Sequence, residues 1–200
     1  MLRRAFLIAL VPALTFLAGC SKDDEPTFKP PTSITVIGNV NTTSTPNTFI
    51  ALDNDRVGAL GWTMQHGARY LVSYVRLKLA MDVGEGDSIV VALFRDSGGY
   101  PSTQVLAFNP PVLPPETGTP ALTTFTPTTF YTMQGDSTYW LVVYNQGSGS
   151  VEWTVGTPIA TPSSPVATFI GAKVDGGIAP APPTTPVTTY PQFSLVGVQQ

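Results

Sequence analysis

The chain is expected to be all-β, a jelly-roll-like β-sandwich carried behind a signal peptide and a flexible tether. Three observations predict this. Short segments rich in Val, Ile, Leu, Thr and aromatic residues alternate with turn residues from about residue 48 to residue 155. No stretch of that region repeats apolar residues at helical spacing. The segments also recur at the short intervals of sandwiches and barrels, without the intervening helical patterns of α/β folds.

From the N-terminus, the first element is an export signal rather than part of the fold. Arg3 and Arg4 precede the apolar run Ala5-Phe6-Leu7-Ile8-Ala9-Leu10-Val11, and the segment closes on Leu17-Ala18-Gly19-Cys20. A basic start, a short apolar middle and small residues at the cut are the three parts of a secretory signal. The apolar stretch is about 15 residues long and holds Pro12, short of the roughly 20 apolar residues that span a bilayer. Leu-Ala-Gly-Cys resembles the lipobox of bacterial prolipoproteins. That resemblance implies removal of residues 1–19 by cleavage between Gly19 and Cys20, a diacylglyceryl group on the Cys20 sulfur, and commonly an acyl chain such as palmitate on the new amino group. Two or three chains anchor stably where one binds only reversibly. The plainer reading is an ordinary secretory signal that happens to end in cysteine. The expected location is the cell envelope, lipid-anchored in the cell membrane or outer membrane and facing the periplasm or the cell surface. Ser21 resembles the residue that directs such proteins to the outer membrane.

Cys20 is the only cysteine, so its lipidation leaves no thiol for a disulfide, a thiolate metal site or a nucleophile. The chain beyond it is ample for one domain. Loss of Arg3 and Arg4 takes the formal charge from −3 to −5. An acidic, sparsely charged surface argues against nucleic acid as a partner and against docking on anionic lipid headgroups.

Residues 20–47 read as the tether. Ser21-Lys22-Asp23-Asp24-Glu25-Pro26-Thr27-Phe28-Lys29-Pro30-Pro31 is polar and broken by prolines. Proline-rich chain extends about 3 Å per residue, so 15 to 20 such residues lift a domain roughly 50 Å from a bilayer. Ile34-Thr35-Val36-Ile37 has the composition of a strand, but Asn39 to Thr48 returns to Asn, Thr, Ser and Pro, so the sandwich domain is drawn over 48–198. Val57–Met64 is its first clear strand. In Tyr70–Leu79, Leu71, Val75, Leu77 and Leu79 share one face while Tyr70, Tyr74, Arg76 and Lys78 share the other, a half-buried strand. Ser88–Arg95, Thr103–Phe108, Phe130–Met133, Ser137–Asn145 and Val151–Val155 follow, separated by turn residues such as Ser97-Gly98-Gly99 and Gly147-Ser148-Gly149. Residues 156–190, dense in Pro, Thr and Ala, are expected as a long loop over the sandwich. Phe193–Val198 brings the chain back as a closing strand.

Several of these segments together resemble the choice-of-anchor R domain, a β-sandwich-like module of bacterial surface and secreted proteins. They are Leu60-Gly61-Trp62-Thr63, Tyr70 to Leu77, Val91-Ala92-Leu93-Phe94-Arg95-Asp96-Ser97-Gly98-Gly99-Tyr100-Pro101-Ser102, Thr138-Tyr139-Trp140-Leu141-Val142-Val143 and Pro191-Gln192-Phe193-Ser194-Leu195. The resemblance covers about residues 48–198 and implies fold and location, with no catalytic residues. Tyr100 before Pro101 and the proline-rich insertion before Tyr190 depart from the pattern.

The residues that carry chemistry are few. His66 is the only histidine and lies in a turn, Gln65-His66-Gly67-Ala68, where a solvated ring is the ordinary outcome. A zinc site of imidazoles and thiolates lacks the ligands. Paired carboxylates suffice for a glycosidase, but Asp82, Glu85, Asp87, Glu116 and Asp136 fall in turns or loops. Asp53-Asn54-Asp55 offers oxygen ligands for calcium without the glycine and distal glutamate of a known calcium loop. Asp96 reads as a turn cap for backbone amides. Aromatic rings are the remaining lead. Alternation puts Tyr139, Leu141 and Val143 on one face of their strand and Trp140, Val142 and Tyr144 on the other. Trp140, Tyr144, Tyr74 and Tyr70 are therefore the candidate ligand-binding residues, against the plainer reading that such rings only pack. The expected function is a non-catalytic, membrane-anchored structural or adhesive module. The alternatives are a glycan- or ligand-binding sandwich using its aromatics and, behind it, a hydrolase. The partners implied are the membrane through the lipid and a glycan or surface protein; no cofactor is implied.

Overall fold

A computed structural model describes residues 31–40, 44–53, 55–82, 88–111, 120–147, 150–156, 167–175, 185–186 and 190–200. The chain separates into two compact units, Met1–Pro30 and Pro31–Gln200, of which the second holds every described residue. The signal segment, Gly19 and Cys20 lie outside the described residues.

The second unit is built of antiparallel strands. In chain order they are β1 (Ser33–Gly38), β2 (Ser44–Leu52), β3 (Val57–Met64), β4 (Arg69–Asp82), β5 (Ser88–Ser97), β6 (Tyr100–Asn109), β7 (Ala121–Pro127), β8 (Thr132–Gln134), β9 (Thr138–Gln146), β10 (Ser150–Gly156), β11 (Ala167–Asp175), β12 (Thr185–Pro186), β13 (Tyr190–Pro191) and β14 (Phe193–Gln199). One sheet runs β1-β14-β4, with β8 and β7 along the other edge of β4 and with β10, β13 and β2 beside its C-terminal part. The other runs β12-β11-β3-β9-β5-β6. β7 joins them, since Ala121–Phe125 pair with β4 while Thr126 and Pro127 pair with β6. The result is a curled, sandwich-like all-β fold.

Side chains from both sheets make one core, in which Trp62, Tyr139, Leu141 and Leu93 of the second sheet meet Val75, Leu77, Trp153 and Phe193 of the first. The Trp62 and Phe193 rings lie 6.0 Å apart across the layers. Inward-facing Gly58 leaves room for Trp153, whose ring carbons are 3.3 Å from where its Cβ would stand. Each fully buried large apolar side chain contributes about 1.5–3 kcal/mol, so this layer carries most of the fold's stability.

The strand pattern departs from simple alternation in β4. Tyr74 faces Val196 but Val72 faces Gly197, so Ser73 is an extra residue. Such a bulge flips the parity of what precedes it. Tyr70 and Val72 therefore point inward with Val75, Leu77 and Leu79, and Leu71 turns out, reversing the faces that strict alternation assigns to Tyr70 and Leu71. β1 carries a matching irregularity between Thr35 and Ile37. Between the two bulges lies Gly197, where a Cβ would come within 2.9 Å of the Leu71 carbonyl.

The folded unit starts earlier than composition suggests. β1 pairs with β14 and β2 with β10, so Ser33–Gly38 and Ser44–Leu52 belong to the sheet and the tether cannot run to residue 47 as expected. Asn39 fixes this junction: its backbone N–H donates to the Phe193 carbonyl at 2.8 Å, its side-chain amide donates to the Pro191 carbonyl at 3.0 Å, and its side-chain oxygen accepts from the Phe193 N–H at 2.8 Å. Nearby, the Gln192 carbonyl accepts from the Lys78 N–H and from Trp153 Nε1, while its N–H donates to the Thr154 carbonyl. The chain thus leaves β10 and joins β4 without stranding a buried peptide group. Residues 156–190, expected as one long loop, contain β11, which pairs along the whole of β3. β7, rich in threonine, also escaped the strand reading.

The two ends of the sandwich differ. At one end lie the turns at residues 65–68, 98–99 and 135–137, the start of β1, and the C-terminus, where the Gln200 N–H donates to the Arg69 carbonyl at 3.0 Å. At the other lie the ends of β2, β4 and β9 and the starts of β3, β5 and β10.

Candidate functional site

The aromatic candidates do not form one surface. Tyr70 lies in the central core, 3% exposed. Tyr74 is half-buried on the outward face of the first sheet, where the Arg76 guanidinium lies 4.8 Å from its ring centre and Arg76 Nη2 donates to its hydroxyl at 3.1 Å. Its face is thus already occupied by a cation of the same strand. Trp140 and Tyr144 stand on the outward face of the second sheet.

That outward face is apolar and closed. Register brings Val142 between Ala59 and Ala92, and Trp140 between Gly61 and Phe94. Val57, Ala59, Ala92, Phe94, Trp140 and Val142 form a second buried cluster, with Tyr144 half-buried against it. Trp140 is 1% exposed, so the ridge of open rings expected there does not exist. The division of β9 into two faces holds; both of them are buried. Burial pushes the Tyr144 hydroxyl above the ordinary tyrosine range, because its phenolate would lose solvation.

Trp140 is also tied down. Its Nε1–H donates to Asp96 Oδ1 at 2.7 Å, and Asp96 Oδ2 accepts from the Gly99 N–H at 3.1 Å. Asp96 caps the turn as its position predicts, with Gly98 and Gly99 at φ of 66° and 85°. The bond to Trp140 spans 44 residues and no local pattern reveals it. One carboxylate therefore locks a hairpin turn onto the indole of the neighbouring strand.

His66 meets a carboxylate that the sequence did not pair with it. Its Nδ1 is 2.7 Å from Asp136 Oδ2, with side chains 91% and 65% exposed. Asp136 takes φ of 58°, and its N–H donates to the Met64 carbonyl at 3.2 Å. Gly135 is packed beneath the facing turn, since a Cβ there would come within 2.7 Å of the Gln65 carbonyl and the Gly67 nitrogen. The pair joins two turns at the surface.

At the mouth between the sheets, Tyr139 accepts the Gln134 N–H at 2.9 Å and meets Tyr131 edge to face, centroids 6.3 Å apart. Burial raises the Tyr131 pKa above its ordinary value, with the nearby Arg95 guanidinium pulling the other way. Phe130, which the sequence pattern places inside a strand, is instead 92% exposed just before β8.

For the calcium candidate, Asn54 lies outside the described residues. Asp53 Oδ1 accepts the Asp55 N–H at 2.8 Å, so that carboxylate is part of the turn's own hydrogen bonding. Among the described residues no three His, Cys, Asp or Glu side chains gather as metal ligands do. No described helix is long and apolar enough to cross a membrane. Comparison with protein-family models finds none that matches the chain, and comparison with curated proteins finds no matching relative. The likeness to the choice-of-anchor R domain therefore rests on its motifs alone.

Proposed function

We propose that the protein is a lipid-anchored component of the bacterial cell envelope, displaying a non-catalytic β-sandwich module of the choice-of-anchor kind in a structural or adhesive role. The observation that carries this reading is Leu17-Ala18-Gly19-Cys20 behind a basic and then apolar start. Two features support it. The polar residues between Cys20 and Ser33 are the right composition for a spacer between a lipid and a domain. The four aromatic candidates are dispersed over three surfaces, two of them buried, which removes the motive for a glycan platform.

The test is metabolic labelling with palmitate in a bacterial host. The native chain takes up label and partitions with membranes, and Cys20→Ser accumulates as an unlabelled precursor. Normal labelling of Cys20→Ser would overturn the anchor. A glycan array probed with the domain lacking its signal checks the reading against a glycan-binding module; specific binding there that is lost in Tyr74→Ala would restore the ligand-binding alternative.

A further inference from the structure

The chain enters the fold where β1 begins, since Ser33 faces Val198 and Val198 faces Leu71 near the start of β4. At this entry end, beside the 98–99 turn, the inner face of the second sheet closes on a cation. Along β5, Ile89, Val91 and Leu93 point into the core while Ala92, Phe94 and Asp96 point outward, so alternation puts Arg95 on the core side. Register sets it between Thr103 of β6 and Tyr139 of β9. Tyr131, just before β8, meets Tyr139 edge to face from across the opening. The Arg95 guanidinium lies beside the Tyr131 hydroxyl, and the Tyr139 hydroxyl is near both.

These three groups are rich in donors and short of acceptors. A guanidinium carries N–H groups and no acceptor. The Tyr139 oxygen accepts the Gln134 N–H at 2.9 Å, which leaves its own proton to donate. The Tyr131 hydroxyl is shut off from solvent and has no hydrogen-bond partner among the described residues. No carboxylate balances Arg95 either. Among the described residues it joins no salt bridge, and Asp96, next in sequence, faces outward and is committed to Trp140 and Gly99. A shut-off donor without an acceptor is unfavourable, and an incoming oxygen anion removes that cost.

We propose that Arg95, Tyr131 and Tyr139 form a binding site for the carboxylate group of a small organic acid. The planar fork of the guanidinium takes a carboxylate through parallel N–H···O bonds, with the Tyr131 O–H as a further donor. Val105 and the Tyr131 ring, both half-buried against the core, offer apolar contact to the body of the acid. A phosphate dianion fits less well, because Arg95 is the only cation acting on the Tyr131 hydroxyl. The site does not depend on the lipid anchor.

The test is an NMR titration of the isotope-labelled full chain with phenylacetate, acetate and inorganic phosphate at constant ionic strength. Saturable amide shifts centred on Arg95, Tyr131, Gln134 and Tyr139 are expected with phenylacetate and, more weakly, with acetate. Arg95 is exposed, so Arg95→Gln keeps the fold and abolishes these shifts. Tyr131→Phe keeps the ring packing and weakens binding about tenfold, the share of one hydrogen bond to a charged group. Arg69→Gln, at another exposed arginine of the same end, leaves the affinity unchanged. Shifts that never saturate with either carboxylate, binding that survives Arg95→Gln, or an unchanged affinity in Tyr131→Phe would each overturn the site. Phosphate bound more tightly than phenylacetate would overturn the ligand class.

Discussion

Trp62 and Trp140 sit almost side by side in paired strands, yet they are held by different physics. Trp62 faces inward from β3, fully buried against Phe193, and its Nε1 has no hydrogen-bond acceptor among the described residues. Trp140 faces outward from β9 and is fixed by the Asp96 carboxylate. The inner face is stabilised by packing between two sheets. The outer face combines packing with a side-chain bond from the Trp140 indole to the Asp96 carboxylate that ties a hairpin to the sheet, a bond for which Trp62 has no counterpart among the described residues.

The largest expected effect lies on the inner face. Trp62→Ala removes a fully buried ring and is expected to cost about 3–5 kcal/mol, read as a lower urea midpoint with unchanged slope. A loss below about 1 kcal/mol would show that this face does not carry the fold. Next comes the outer face: Asp96→Ala is expected to cost about 1.5–3 kcal/mol. Trp140→Phe and the double variant complete a cycle whose coupling isolates the bond. Additive losses would mean that the carboxylate and indole act independently.

A smaller loss tests the entry-end turns. Gly135→Ala forces a methyl group toward the Gln65 carbonyl and is expected to cost about 1–2 kcal/mol. Alkaline titration then probes one tyrosine on each face. Tyr131 and Tyr144 both have pKa values raised by burial, so the unfolded chain ionises first. Stability is whole below the ordinary tyrosine value of about 10 and falls as pH rises toward the folded values. Replacing each with Phe should flatten that fall, and an unchanged alkaline slope in both variants would show that neither hydroxyl contributes. Smallest of all, His66→Ala should leave the urea midpoint where it is, because a polar contact between two exposed side chains contributes little. A clear loss would mean that the two turns depend on it.

Much of this is legible without the structure. β3 runs over the same residues, Val57–Met64, that the apolar pattern marks, and β9 divides into the two faces that alternation assigns. What alternation cannot tell is that the second face is buried as well: a strand covered on both sides and a strand with a ridge of exposed rings show the same period of two. Alternation misplaces Tyr70 because a bulge is a one-residue insertion with no fixed sequence signature. The start of β2 reads as tether because Ser44-Thr45-Pro46-Asn47 are residue types that otherwise mark linkers, and β11 reads as loop because it lies within a stretch dense in Pro, Thr and Ala.

The amino-acid sequence by itself determined the all-β class, most strand positions, the absence of a disulfide within a chain that has one cysteine, and the motif from which the anchor is proposed. These are local properties, set by side-chain period, turn chemistry and count. Only the tertiary structure decided that Asp96 reaches Trp140, that His66 meets Asp136, that Asn39 clamps the return of the chain to β14, and that the candidate rings lie apart. Each of those contacts joins residues at least 44 positions apart. Their partners are chosen by strand order and register, which depend on how the whole chain packs rather than on any one segment of it.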